Sequence, residues 1–209
     1  GDPTSGGVWA PCLSYDNGRF YLVFTDVKTK KGRFYNTHNY LVWTDDIRGE
    51  WSEPVYLNSI GFDPSLFHDN DGKKYLINMV NGFKGVLVQE IDPQTWELIG
   101  ERKKVYAGSG IGCTEGPHMY HIGEWYYLLT AEGGTGYDHC VTVARSRSVW
   151  GPFETDPHNP LLTSERGRDD ALQKCGHGDP VQTQSGEWYL AHLCARPKNG
   201  NNLCVLGRE

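Results

Sequence analysis

Four stretches of the chain repeat one order of polar and apolar positions. Each has a proline near its start, then an apolar run, a turn that contains glycine, and a tyrosine followed by a second apolar or aromatic run. The four stretches are Trp9 to Leu22, Asp63 to Leu76, Glu115 to Leu128 and His177 to Leu190. Because Gly, Asn and Asp tolerate the backbone angles of tight turns, each stretch predicts a β-hairpin.

The spacing of these hairpins predicts the architecture. Their prolines lie 53, 53 and 63 residues apart, and no stretch has sustained helical periodicity. Strand units that recur about every 50 residues are typical of four-stranded propeller blades. We therefore predict an all-β fold of the β-propeller type, with about four blades in this chain. A β-sandwich fits less well, because it would not repeat one hairpin four times.

Both ends of the chain indicate a partial ring. The repeat begins almost at once, at Trp9, and the chain stops at Glu209 with no strand that finishes a blade. A propeller ring needs its last blade completed. We expect residues 1–209 to be part of a propeller domain, with the first blade incomplete at its N-terminus and the last blade missing.

Composition narrows the partners. The formal charge of -6 and the pI near 5.7 disfavour nucleic acid as a partner. The sequence contains no apolar run of about 18 residues, so no membrane helix is predicted.

Six cysteines occur without any Cys-x-x-Cys pair, so the sequence favours free thiols over disulfides and predicts no structural zinc site. The oligomeric state, a homo-oligomer included, is left open. So is the compartment, with the cytoplasm favoured over secretion.

Candidate chemistry lies where the hairpins begin. The first strand of each propeller blade lines the central channel, so Trp9, Asp63, Glu115 and His177 should converge at one face. Aromatic rings stack on sugars, and paired carboxylates do acid and base work at a glycosidic bond. Each residue alone has a plainer explanation as a turn, surface, core or structural residue. Their recurrence at one phase of the repeat favours a shared site.

At these residues the sequence resembles glycoside hydrolase family 43, in particular its β-xylosidase and α-L-arabinofuranosidase branch. The matching segments follow the family's order along essentially the whole chain. They are 7–11 (GVWAP), 61–67 (GFDPSLF), 114–118 (TEGPH), 131–137 (AEGGTGY), 176–178 (GHG) and 206–209 (LGRE). The resemblance implies a five-bladed propeller and an inverting mechanism. It implies Glu115 as the general acid, and Asp63 as the carboxylate that tunes the pKa of the acid and orients the substrate.

The resemblance also implies residues that bind substrate. Trp9 matches an aromatic wall of the sugar pocket, and Thr135 matches its rim. His177 matches an axial histidine that in some members also helps hold Ca²⁺, so it is a candidate Ca²⁺ ligand, although no cofactor is required. Arg208 matches an arginine that contacts the substrate and the general base.

The sequence departs from the family pattern in four places. Nothing upstream of Trp9 matches the strand that carries the general base, an Asp, and the C-terminal β-sandwich of the xylosidase branch is absent. Phe83 stands where related xylosidases often carry Trp, and Asp179 stands where small residues are usual.

Three functions follow from these features. The first is a glycosidase that removes xylose or arabinose from xylo-oligosaccharides or arabinoxylan. The alternative is a catalytically silent, carbohydrate-binding propeller fragment, because the general base is absent. A protein-interaction propeller of the WD type is disfavoured, because the chain contains no Trp-Asp dipeptide.

Overall fold

A computed structural model describes residues 6–29, 36–164, 172–198 and 201–205, with backbone alone for 197–198 and 201–205. The regular structure in these residues is entirely β. The first sheet contains, in spatial order, β1 (Gly7–Asp16), β2 (Arg19–Val27), β3 (Thr37–Thr44) and β4 (Val55–Asn58). The second contains β5 (Gly61–His68), β6 (Lys74–Val80), β7 (Val86–Ile91) and β8 (Leu98–Tyr106).

The third and fourth sheets continue the series. The third contains β9 (Glu115–Ile122), β10 (Trp125–Glu132) and β11 (Cys140–Ser146), with β12 (Glu154–Thr155) and β13 (Leu162–Thr163) both paired to β11. The fourth contains β14 (Gln173–Gln182) and β15 (Trp188–Ala195). A separate pair follows, β16 (Pro197–Lys198) and β17 (Asn201–Val205). All strand pairs are antiparallel.

Burial along the strands explains how the sheets stack. In β2, Tyr21, Val23, Thr25 and Val27 are buried and alternate with half-buried residues, as the two-residue period of a strand requires. In β5 and β6 nearly every residue is buried, because neighbouring sheets cover both faces.

Two apolar clusters hold neighbouring sheets together. One joins the first sheet to the second, with Val23, Leu41 and Leu76 among its members. The other joins the second sheet to the third, with Ile77 and Leu128 among its members. The first strands of successive sheets touch in sequence, β1 with β5, β5 with β9 and β9 with β14. Each sheet therefore presents its first strand toward the same inner region, as the blades of a propeller do.

The all-β propeller prediction is confirmed, and all four predicted hairpins are present. The first sheet has four strands with Gly7–Asp16 as its inner strand, so the incompleteness predicted for the first blade does not show in its strand count. The missing last blade and β-sandwich stay predictions.

The five cysteines with described side chains are free thiols. Within the described ranges, no helix is long and apolar enough to cross a membrane.

Candidate active site

Each inner strand has an irregularity near its start. The pairing register shifts there in all four hairpins, and a residue inside the shifted stretch adopts a left-handed backbone. These residues are Ala10 (φ 35°), Asp63 (φ 51°), Gly116 (φ 52°) and His177 (φ 50°). A bulge re-aims the side chains beside it, and left-handed non-glycine residues concentrate at functional sites.

These bulges correct the repeat phase expected from the sequence. Asp63 and His177 occupy the bulge position itself, whereas Trp9 and Glu115 each stand one residue before it. The signal that could have revealed this is the proline that directly follows Ala10, Asp63 and Gly116.

Three of the predicted positions meet at this end of the inner strands. The backbone N–H of Gly116 donates a hydrogen bond of 3.0 Å to Oδ2 of Asp63. A Cβ on Gly116 would lie 2.7 Å from Nε2 of His177, so only glycine lets the imidazole pack there. Asp63 and Glu115 are both buried, at 7% and 8% exposure. The Asp63 carboxylate is thus tied to the backbone directly beside Glu115, and His177 covers the same peptide.

An aromatic row borders Asp63. The ring of Trp9 meets that of Phe62 edge-on at 5.7 Å between centroids, and Phe62 meets Phe83 at 6.1 Å in the same manner. The indole N–H of Trp9 donates to the carbonyl of Gly6 at 3.3 Å. Phe83 therefore belongs to the same row as Trp9, at the position where the family pattern often has Trp.

Two predicted substrate contacts stay predictions. Thr135 is an exposed residue in the loop between β10 and β11, and its place at a pocket rim stays a prediction. Arg208 lies outside the described residues.

Sequence reasoning missed Glu132, whose side chain is fully buried at the end of β10. Its carboxylate accepts hydrogen bonds from the backbone N–H of Ser109 at 2.8 Å, the hydroxyl of Ser109 at 2.8 Å and the hydroxyl of Thr142 at 3.1 Å. Gly112 N–H adds a longer bond of 3.3 Å. Glu132 therefore holds the loop that leads directly into Glu115. A carboxylate at the end of an apolar run was the available signal.

Below these residues, the middle of the channel is polar. The ring of His118 lies 5.9 Å from that of His177, and burial lowers the pKa of the His118 imidazole although Asp179 opposes the shift. The hydroxyl of Tyr120 donates a hydrogen bond to Asp179. Asp179, which stands where the family pattern usually has a small residue, therefore accepts a hydrogen bond inside the channel.

Comparison with known proteins assigns the chain to a family. All of residues 1–209 match the family model described as glycosyl hydrolases family 43. The chain belongs to glycosyl hydrolase family 43. This membership confirms the resemblance inferred from the sequence.

Similar members of family 43 carry xylosidase names. The chain is 52% identical over its whole length to "Xylosidase/arabinosidase 43B" of Humicola insolens, of which it covers 40%. It is 52% identical to "Beta-xylosidase" of Bacillus subtilis, of which it covers 42%. The crystal structure of a xylan β-1,4-xylosidase from Bacillus halodurans C-125 superposes with a TM-score of 0.90 at 54% identity, over 100% of this chain and 41% of that one. The chain thus spans about two fifths of the length of these relatives.

Proposed function

We propose that this protein is a glycoside hydrolase that removes xylose or arabinose from xylo-oligosaccharides or arabinoxylan with inversion at the anomeric carbon. The observation that carries the proposal is the hydrogen bond from Gly116 to the Asp63 carboxylate, beside Glu115. It ties the buried Asp63 carboxylate of one sheet to the backbone next to Glu115, a second buried carboxylate, on the neighbouring sheet.

In this proposal Glu115 is the general acid. It gives its proton to the oxygen of the leaving sugar as the glycosidic bond breaks. A nearby negative charge keeps a carboxylic acid protonated to higher pH, which suits an acid catalyst that works near neutrality. Asp63 supplies that charge, and its bond to Gly116 holds the start of β9 in position.

An inverting enzyme also needs a carboxylate base that activates water on the opposite face of the sugar. Acid and base are then about 6.5–9.5 Å apart, so that the water fits between the base and the ring. We propose that residues outside this chain supply the base. Trp9 and Phe83 would form the wall on which the sugar packs, because aromatic faces suit the apolar face of a pyranose.

Calcium at His177 fits this arrangement poorly as a protein-held ion. Ca²⁺ takes about six to eight oxygen ligands, whereas His177 offers a ring nitrogen that packs on the backbone of Gly116. No step of the proposed reaction passes through a metal. We expect turnover to be unchanged after removal of Ca²⁺ with a chelator.

The first test is hydrolysis by the full-length protein of nitrophenyl β-xylopyranoside and nitrophenyl α-L-arabinofuranoside. Proton NMR of the first product formed from the xyloside should show the anomer of opposite configuration to the substrate. A first product that keeps the substrate's configuration would contradict inversion.

The variant Asp63→Asn tests the role of the charge. The amide oxygen can still accept the Gly116 hydrogen bond, but the negative charge beside Glu115 is lost. We expect turnover to fall and the alkaline limb of the pH–rate profile to move to lower pH. If the alkaline limb of the pH–rate profile does not move, the role of Asp63 is purely structural.

The silent binding alternative makes a different prediction. Calorimetry of the 209-residue chain with xylobiose should then show binding that Trp9→Ala weakens, while the same chain shows no hydrolysis of nitrophenyl β-xylopyranoside. Turnover by the 209-residue chain would exclude this alternative.

A further inference from the structure

Three side chains with metal-binding atoms meet in the middle of the channel, and none of them is one of the proposed catalytic carboxylates. Cys12 comes from β1, His118 from β9 and Asp179 from β14, so each belongs to a different sheet. The Cys12 Sγ lies 3.8 Å from His118 Nδ1, and His118 Nδ1 lies 3.6 Å from Asp179 Oδ1. All three atoms lie within 4.8 Å of one another. From this geometry we propose that Cys12, His118 and Asp179 form a zinc site.

The donor set suits zinc better than calcium or magnesium. Thiolate sulfur, imidazole nitrogen and carboxylate oxygen are the ligands that Zn²⁺ takes in tetrahedral sites, at about 2.0–2.3 Å. Neighbouring donors around such an ion are then about 3.3–3.6 Å apart. The two distances that include His118 are longer by at most a few tenths of an ångström, and the Cys12 and Asp179 donors lie within 4.8 Å of each other, so the Asp179 side chain must close in on a bound ion. Hard cations prefer all-oxygen ligands, so the sulfur of Cys12 disfavours Ca²⁺.

Burial and neighbouring groups support the same assignment. Cys12 and His118 are 8% and 7% exposed, so their positions are held by packing. The hydroxyl of Tyr120 donates to Asp179 Oδ1, which fixes the carboxylate as outer-shell partners do in metal sites. The Cys12 thiol is in hydrogen-bonding contact with the His118 imidazole, and Tyr120 ties Asp179 to the same strand, so these contacts already hold the three donors together.

The site also has an entrance and an open position. Cys12, His118 and Asp179 all line one cavity of about 900 Å³ on the inner side of the sheets. The Asp179 side chain is 41% exposed. A zinc ion held by three protein ligands keeps its fourth position for water, and this water would face the cavity. The ion would link the first, third and fourth sheets at their centre.

Cobalt provides the most direct test, because sulfur bound to Co²⁺ gives a charge-transfer absorption band in the near ultraviolet. Untagged protein is stripped of metal with a chelator, dialysed and titrated with Co²⁺ and then with Zn²⁺. We expect a band that saturates at one Co²⁺ per chain and disappears as Zn²⁺ replaces Co²⁺. Excess Ca²⁺ should leave the band unchanged. Zn²⁺ should also raise the melting temperature of the stripped protein.

Variants locate the site. Cys12→Ser should abolish the band, whereas Cys113→Ser, which changes an exposed cysteine, should keep it. Tyr120→Phe should keep the band but weaken Zn²⁺ binding by about 10-fold or more. Near-ultraviolet circular dichroism checks folding, and His118→Gln decides the question if Cys12→Ser does not fold. The absence of a band in folded wild-type protein, or a band that survives loss of Cys12 or His118 in a folded variant, would overturn the proposal.

Discussion

The two ends of the inner strands are built differently. At their starts, where Asp63 and Glu115 lie, the strands bulge and non-glycine residues adopt left-handed backbone angles. At their finishes the strands pair regularly, and side chains link each sheet to the next. The irregular pairing at the start of each inner strand therefore sets the direction of its side chains. The regular pairing at the end of the strand holds neighbouring sheets in place. A strained site can persist only when its surroundings over-determine it.

The junction between the first and second sheets is centred on a buried cation. Lys74, only 6% exposed, donates to Asp16 Oδ2 at 2.5 Å and to His68 Nδ1 at 2.8 Å. An ammonium group has only hydrogens to give, so His68 Nδ1 accepts and the ring is neutral. The other nitrogen of His68 then donates to the Ser14 hydroxyl at 2.9 Å.

The junction between the second and third sheets is centred on a buried anion instead. Asp69 accepts a hydrogen bond from His121 Nδ1 at 2.5 Å and another from the Tyr126 hydroxyl at 2.8 Å. The rings of His121 and Tyr126 stack at 4.0 Å, and burial together with Asp69 raises the pKa of Tyr126. Equivalent places in the fold thus use opposite charges, and the two junctions should respond differently to mutation and to pH.

The largest loss of stability is expected when a side chain is added at the start of an inner strand. Gly116→Ala adds a Cβ against the His177 ring at a left-handed residue, so backbone strain and overcrowding add. We expect a loss of about 3–4 kcal/mol in the free energy of unfolding, measured in urea. Gly72→Ala is the matched control, with a positive φ but no atom near the added Cβ. It should cost about 1 kcal/mol. Equal losses would mean that His177 does not pack on Gly116.

Acid should weaken the first junction next. Burial, and then the charge of Lys74, lower the pKa of His68 to about 4, although Asp16 opposes them. Because the folded pKa lies below the unfolded value, the unfolded chain takes up a proton first as the pH falls. Stability should therefore drop by on the order of 3 kcal/mol between pH 7 and pH 4. Urea unfolding at each pH measures it, and His68→Asn should flatten that part of the curve. A variant as pH-sensitive as the wild type would assign the loss to other groups.

Removing the central cation gives a smaller loss. Lys74→Met leaves Asp16 and His68 without their donor while keeping most of the side-chain volume. Breaking a fully buried ion pair costs about 3–5 kcal/mol, and we expect about 2 kcal/mol here because Asp16 reaches solvent. Lys73→Met is the control, since Lys73 forms an exposed pair with Glu90 and should cost less than about 1 kcal/mol. Similar losses in the free energy of unfolding for both variants would mean that Lys74 stabilises the junction no more than an exposed lysine does.

The smallest effect is expected at the second junction. Tyr126→Phe removes one hydrogen bond to Asp69 and keeps the ring stacked on His121. His121 still donates to the carboxylate, so we expect a loss of about 1 kcal/mol in thermal or urea unfolding. A loss larger than that of Lys74→Met would reverse the order proposed for the two junctions.

The sequence predicted the hairpins because turn glycines and strand patterns are local signals. The prolines after Ala10, Asp63 and Gly116 mark the positions of three bulges, but a left-handed Ala10 depends on packing around the strand and not on its own preference. The pairing of Asp16 with Lys74 spans 58 residues and two sheets, so no sequence pattern shows it. The same holds for Cys12, His118 and Asp179. The Cys-x-x-Cys pattern detects only zinc sites whose ligands are close in sequence, whereas these three residues are far apart in the chain.

The measurement that tests the central claim most directly compares two substrates in the full-length Glu115→Ala variant. When xylobiose is hydrolysed, the leaving group is a second xylose, whose poorly acidic hydroxyl oxygen needs a proton from the acid. Dinitrophenolate, the leaving group of dinitrophenyl β-xyloside, is a stable anion and departs without one. If Glu115 is the general acid that Asp63 and Gly116 hold in position, hydrolysis of xylobiose falls by roughly 100-fold or more. Hydrolysis of the dinitrophenyl substrate should fall far less. Equal losses on both substrates would contradict the account.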